Sequence, residues 1–120
     1  MNYTKYAINQ SQVEFHAEFT AMQKAVHQTA VDKGWWDTPR EVGTVIMNIV
    51  GELAELFDAL AKGNQPDKHC PEFNSAEVEA ADTVIRLMDA AQSYGWDLAG
   101  AIVAKTEYNK GREYKHGKLF

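Results

Sequence analysis

The segment between Thr38-Pro39 and Gly63 restricts the fold more than any other part of the chain. Val42, Val45, Ile46, Ile49, Leu53, Leu56 and Leu60 recur there at three- and four-residue steps, the core-facing pattern of a bundle helix. The start signals are equally plain in the sequence: Thr38 as N-cap, Pro39 at the first helical position and Glu41 closing a capping box. The helix is expected to run to Lys62 and stop at Gly63, a residue suited to left-handed backbone.

Three more helices are expected and no convincing strand. The first begins near Ser11, with Glu14 three residues on, and runs to about Asp32 before Gly34. The third starts at Asn74, with Glu77 three residues on, and ends at Tyr94 before Gly95. The fourth is capped by Asp97 and reaches about Lys110 before Gly111. The fold class is therefore all-α, a four-helix bundle-like protomer. On the third helix Val78, Ala81, Val84, Ile85, Leu87 and Met88 belong to an apolar set covering about half the circumference, more than one neighbour can bury. Residues 63–74, with Pro66 and Pro71, are long for a simple connection and read as a lid or rim. No repeat or linker divides the 120 residues, so 1–120 reads as a single domain with a basic tail at 112–120.

Charge and cysteine content narrow the functions. A net charge of -5 leaves no basic face for a nucleic-acid duplex. One cysteine, Cys70, excludes an internal disulfide framework and fits a reducing compartment. Residues 1–10 lack the apolar run of a signal peptide, and no stretch approaches about 18 apolar residues. A cytoplasmic protein with no membrane partner is expected.

Two pairs of acids carry the chemistry: Glu52-x-x-Glu55 and Glu79-x-x-Asp82. On a helix, i and i+3 lie about 60° apart and about 4.5 Å apart along the axis. Like charges so placed repel by a few tenths of a kcal/mol. A single pair of this kind is usually solvated helix surface. Two pairs, each beside an apolar seam on helices that a bundle sets side by side, point to a cation between them. Projected along the second helix, Glu52 lies about 80° and Glu55 about 140° from the stripe centre, so both are expected to flank the seam. An oxygen-only ligand set favours Mg2+, or Mn2+, arriving with substrate phosphates. A di-iron centre would need His at the i+3 positions, where Glu55 and Asp82 stand, and the four histidines lack zinc-ligand spacing. Asp89 is expected to pair with Arg86, its neighbour one turn back, and not to bind metal.

Lys105 and Asn109 form an i, i+4 pair on the fourth helix, followed by Arg112 and then Lys118. Alone this is a cationic helix C-terminus. Beside a metal site the same residues suit the remaining charge of a polyphosphate. Trp35 and Trp36 can stack on a base, an interaction worth ~1–3 kcal/mol, or pack in the core. At most one is expected to touch substrate, with Trp36 and Asn48 as the candidates.

With these residues in view, the chain resembles the MazG-like all-α nucleoside triphosphate pyrophosphohydrolases, specifically the small stand-alone members. The resemblance rests on KGWWD at 33–37, GELAEL at 51–56, EVEAADTVIRLMD at 77–89 and KTEYNKGREYKHGKLF at 105–120, and so spans nearly the whole chain. One departure stands out: many members carry a further Glu just before the first acid pair, where this chain has Gly51. The resemblance implies a dimer or tetramer in which Glu52, Glu55, Glu79 and Asp82 bind Mg2+. It implies hydrolysis of a nucleoside triphosphate to the monophosphate and pyrophosphate, a house-cleaning type of activity. Glu52 or Glu55 would accept the proton of the attacking water, and Lys105, Asn109 and Arg112 would orient the leaving pyrophosphate. The nearest alternatives are a phosphoribosyl-ATP pyrophosphohydrolase and a non-catalytic helical module that binds a partner.

Overall fold

A computed structural model describes residues 6–120; the expectation about residues 1–10 falls partly outside them. Four α-helices follow in order: α1 (Gln10–Asp32), α2 (Val42–Ala61), α3 (Ser75–Ser93) and α4 (Leu98–Lys110), with a short 3-10 turn at Tyr114–Gly117. No β-strand occurs among the described residues, only an isolated bridge between Pro66 and Asn74. No helix among them is long and apolar enough to cross a membrane. The substantial helix contacts are α2 with α3, α1 with α3 and α1 with α4. α3 is thus the central rod, and α4 reaches the rest of the protein through α1.

Polar ties fix the outer pairings. Gln12 Nε2 donates to Glu107 Oε1 at 2.6 Å and His16 bonds Asp97 at 2.8 Å, tying α1 to α4 and its cap. Gln23, buried between α1 and α3, donates to Gln92 Oε1 and to the Trp96 carbonyl.

The helix ends show where local chemistry decides and where it does not. Asn74 and Glu77 form the expected capping box, and the Asp97 carboxylate accepts from Gly100 N at 2.9 Å. Gly63 has φ 90°, as a residue just past a helix end requires. α1 starts one residue before the expected Ser11, because Asn9 and Gln12 form the reciprocal box that Ser11 and Glu14 were expected to make. α2 starts later than expected. Thr38 and Pro39 stay outside the helix and Glu41 is the N-cap, its two carboxylate oxygens accepting from Gly43 N at 2.8 Å and Thr44 N at 2.7 Å. Those two backbone donors hold the Glu41 carboxyl below its ordinary range.

The apolar stripe of α2 needs a larger correction. Val45 and Ile49 are buried and pack with Ala90 of α3, with Trp36 and Tyr94 against them. Val42, Ile46, Leu53 and Leu60 are exposed, at 57%, 41%, 50% and 54%. With Val50 and Phe57, also exposed, they make a second apolar face turned away from α3. Among the described residues α3 is the only helix in substantial contact with α2, so it covers one side of a pattern wide enough for two. The buried line instead runs Val45, Ile49, Glu52 and half-buried Leu56, all within roughly 60° of arc. Glu52 therefore sits in the seam rather than beside it. On α3 the same excess appears: Thr83, Met88, Ala90 and Ala91 are buried, whereas Val84, Ile85 and Leu87 remain exposed.

Candidate metal centre

Glu52 points inward from the middle of α2, where only 8% of the residue remains exposed. An isolated carboxylate so placed carries a large desolvation cost unless it is paired. Arg86 of α3 supplies the partner: its Nε donates to Glu52 Oε1 at 2.5 Å. Arg86 is thus turned towards α2, and the expected Arg86–Asp89 pair does not form. Asp89 Oδ1 instead accepts from Trp36 Nε1 at 2.9 Å and bonds His27 Nδ1 at 2.7 Å. Neither Asp89 partner lies within a helical turn of it, so local spacing could not have found them.

Three acids converge. Glu52, Glu55 and Glu79 each offer a carboxylate oxygen, and these atoms lie within 4.8 Å of one another. Glu55 is one turn beyond Glu52 on the exposed side of α2, and Glu79 comes across from α3. Glu79 Oε2 is buried and has no hydrogen-bond partner among the described residues. Burial first, then the adjacent Glu52 and Glu55 carboxylates, push the Glu79 carboxyl up from 4.5 to about 7. Carboxylates accept and cannot donate to one another, so a proton or a cation must sit among them when all three approach. Asp82, the fourth expected ligand, is not part of the converging trio. It stands one turn further along α3, and burial followed by the Glu52 charge raises its carboxyl, with Arg86 opposing.

The ligand chemistry fits a hard divalent cation. All three donors are carboxylate oxygens, and among the described residues the buried Glu79 Oε2 meets no hydrogen-bond donor and no His or Cys joins the group.

The loop between α2 and α3 forms a fixed rim. Asp67 is buried and its Oδ2 accepts from His69 N at 2.8 Å and Cys70 N at 2.9 Å. Its backbone N–H donates to the Phe73 carbonyl, and Ser75 N donates to the Gln65 carbonyl. The charges of Asp67 and His69 both act on Asp82, which places this rim beside the acids. A lid or rim role is the expectation for this loop, but no local pattern singles out Asp67 or His69.

The remaining candidates are dispersed. Lys105, Asn109, Arg112 and Lys118 are all exposed on α4 and the tail. The Lys105 ammonium and Arg112 guanidinium lie 4.5 and 5.7 Å from the Tyr108 ring centroid, at the end of a helix whose substantial contact is with α1. Among the described residues no substantial contact packs α4 against α2. Asn48 lines a small crevice with Arg40, Arg86 and Asp89. Trp36 is half-buried against the core, with the Arg40 guanidinium 4.9 Å from its ring centroid. Trp35 is the exposed member of the pair and lines a groove with Lys33, Arg40, Asp82 and Arg86.

Compared with family models, curated proteins and solved structures, the chain matches none. What the site can do follows from its residues.

The Glu79 shift predicts an inverted pH response in metal-free protein. Its carboxyl titrates near 7 when folded against 4.5 ordinarily, so the folded state holds the extra proton between those values. Stability should then fall as pH rises from about 4.5 to about 7, because the unfolded chain releases that proton first. Urea unfolding in chelator at several pH values reads the slope, and Glu79→Gln should flatten it. A parent and a variant with the same slope would refute the coupling.

Proposed function

We propose that the chain is a Mg2+-dependent nucleoside triphosphate pyrophosphohydrolase of the MazG-like all-α type, cytoplasmic and assembled as a dimer or tetramer. The observation that carries this reading is the convergence of Glu52, Glu55 and Glu79 around a buried, unpartnered Glu79 oxygen. Glu52, Glu55 and Glu79 would hold Mg2+, with Asp82 beside them. Bound there, Mg2+ supplies charge neutralisation for a triphosphate and lowers the pKa of water.

The protein's own groups divide the other tasks. Glu52 is held by Arg86 and fixes the geometry from the α2 side. Glu55 is exposed and among the described residues enters no ion pair, which leaves it the better placed of the two to accept a proton from attacking water. Arg86, paired with Glu52, would keep a positive charge at the α3 wall beside the phosphates. The exposed α2 face, Val42, Ile46, Val50, Leu53, Phe57 and Leu60, is where a second copy packs. Assembly is also what would bring Lys105, Asn109 and Arg112 to the phosphates, since the single chain holds α4 away from α2.

The same apolar face favours the second reading, a module that binds a partner protein. The test is a panel of ribo- and deoxyribonucleoside triphosphates with Mg2+, plus phosphoribosyl-ATP, scored by chromatography. Monophosphate and pyrophosphate are expected, and they should disappear with chelator. Diphosphate and orthophosphate would mean that a different bond is cut. No product from any substrate would leave the partner-binding module.

A further inference from the structure

Arg86 stands among the acids on the facing surfaces of α2 and α3. Glu79, Asp82 and Arg86 project from one strip of α3, because steps of three and four residues bring side chains back to within about 60° of arc. Glu52 meets this strip from α2. It offers an oxygen to the trio with Glu55 and Glu79, and its Oε1 accepts from Arg86 Nε at 2.5 Å. Asp82 is outside the trio and enters no ion pair among the described residues. The charges of Glu52 and Arg86 nevertheless both act on it, in opposite directions, which places it next to their pair.

We propose that the Arg86 guanidinium occupies the place of a second cation, so that the nucleotide-free site holds one divalent ion, on Glu52, Glu55 and Glu79, and not two. The proposal rests on the pyrophosphohydrolase reading and sets the ion count of that same site.

Ligands, charge and packing each support this role. The oxygens of the trio lie within 4.8 Å of one another and make the ligand set of a single ion. In two-metal sites the ions sit about 3.5–4 Å apart, so a second ion here would need ligands on the Asp82 side. There Glu52 Oε1 is taken by Arg86, which leaves Asp82 alone. A guanidinium stays protonated in proteins, so Arg86 cannot give way by losing its proton. Against three carboxylates, Arg86 and one divalent ion leave no net charge. A second ion would add two positive charges beside a fixed one, in a seam where burial strengthens their repulsion. Glu52 is 8% exposed, and removing its partner would strand a buried carboxylate. The Arg86 side chain also lines a crevice with Val45, Ile49 and Asp89, so packing as well as charge keeps it in place.

The probe is Mn2+, added to nucleotide-free protein, counted by equilibrium dialysis and followed by electron paramagnetic resonance of the bound fraction. The parent should hold one Mn2+ per chain, without the exchange-coupled signal of two neighbouring ions. Arg86→Gln frees Glu52 Oε1 and removes the fixed charge, so it should hold two per chain and show the coupled signal. Adding Asp82→Asn to that variant should return the count to one, because the second ion loses its other ligand. Arg86→Lys keeps the charge and should stay at one. Two ions on the parent, or no gain in Arg86→Gln, would overturn the counter-ion role and leave a metal-dependent enzyme standing. A merely structural Arg86 gives the second of these results, since its loss would lower stability without creating a ligand. Should Arg86→Gln not fold, the parent and Arg86→Lys decide, and two ions on either overturn the proposal. No bound Mn2+ on the parent would overturn both the proposal and the metal centre.

Discussion

Glu55→Gln should reduce turnover about 10^2–10^4-fold, the span that a positioned general base contributes, while leaving the helices intact. Glu55 is exposed on α2 and lines a shallow cleft with Asp58, Lys62, Gln65 and Glu79. Its side chain is exposed and among the described residues enters no ion pair, so glutamine of the same shape can replace it without opening a cavity. The metal-free variant should be no less stable than the parent, because one of three mutually repelling carboxylates has been neutralised. Steady-state kinetics with Mg2+, together with circular dichroism and thermal unfolding in chelator, separate the possibilities. An ordinary surface glutamate would give an unchanged rate. A structural one would give a lower melting temperature.

Phe57→Glu should dissociate the assembled protein into single chains. Phe57 is 74% exposed in the isolated chain, within a stripe whose other members are also uncovered. Burying such a side chain contributes about 1.5–3 kcal/mol. Across a two-fold interface the substitution acts twice, which gives roughly 3–6 kcal/mol before the cost of burying the new charge. Sedimentation or light scattering would show a dimer or tetramer for the parent and a monomer for the variant. If the parent itself runs as a monomer, the α2 face is not a contact between copies and Lys105, Asn109 and Arg112 have no route to the acids.

Local chemistry made much of this molecule readable from sequence. The Asn74–Glu77 box, the Asp97 cap and the glycine after α2 each need only neighbouring residues, and each formed where expected. Competition between equally good local choices explains the α1 start, where Asn9 with Gln12 does what Ser11 with Glu14 also offered. The α2 start is decided by local competition too, in which the Glu41 carboxylate rather than Thr38 takes the first backbone donors. Arg40 lies over Trp35 and Trp36, and Glu41 alone caps the helix.

The candidate site divides the same way. Periodicity showed that Glu52, Glu55, Glu79 and Asp82 stand on two apolar-faced helices, and three of the four converge. It could not show which side of α2 meets α3, since the apolar pattern serves two faces; Glu52 was therefore expected at the edge of the seam and lies within it. Cross-helix bonds such as Arg86 to Glu52 and Trp36 to Asp89 join residues 34 and 53 apart in the chain, a separation with no local signature. Trp36 was the substrate candidate of the tryptophan pair on residue type alone; the packing that spends it on the core and leaves Trp35 open is a tertiary result.

The most direct measurement is a Mn2+ titration followed by electron paramagnetic resonance, with Mg2+ as competitor. The parent chain should remove Mn2+ from the free-ion signal, Mg2+ should return it, and Glu79→Gln should bind far more weakly because the buried oxygen that faces its two neighbours has been lost. A parent chain that leaves Mn2+ free, with and without a nucleoside triphosphate, would contradict the account: the three carboxylates would then be sharing a proton and not an ion.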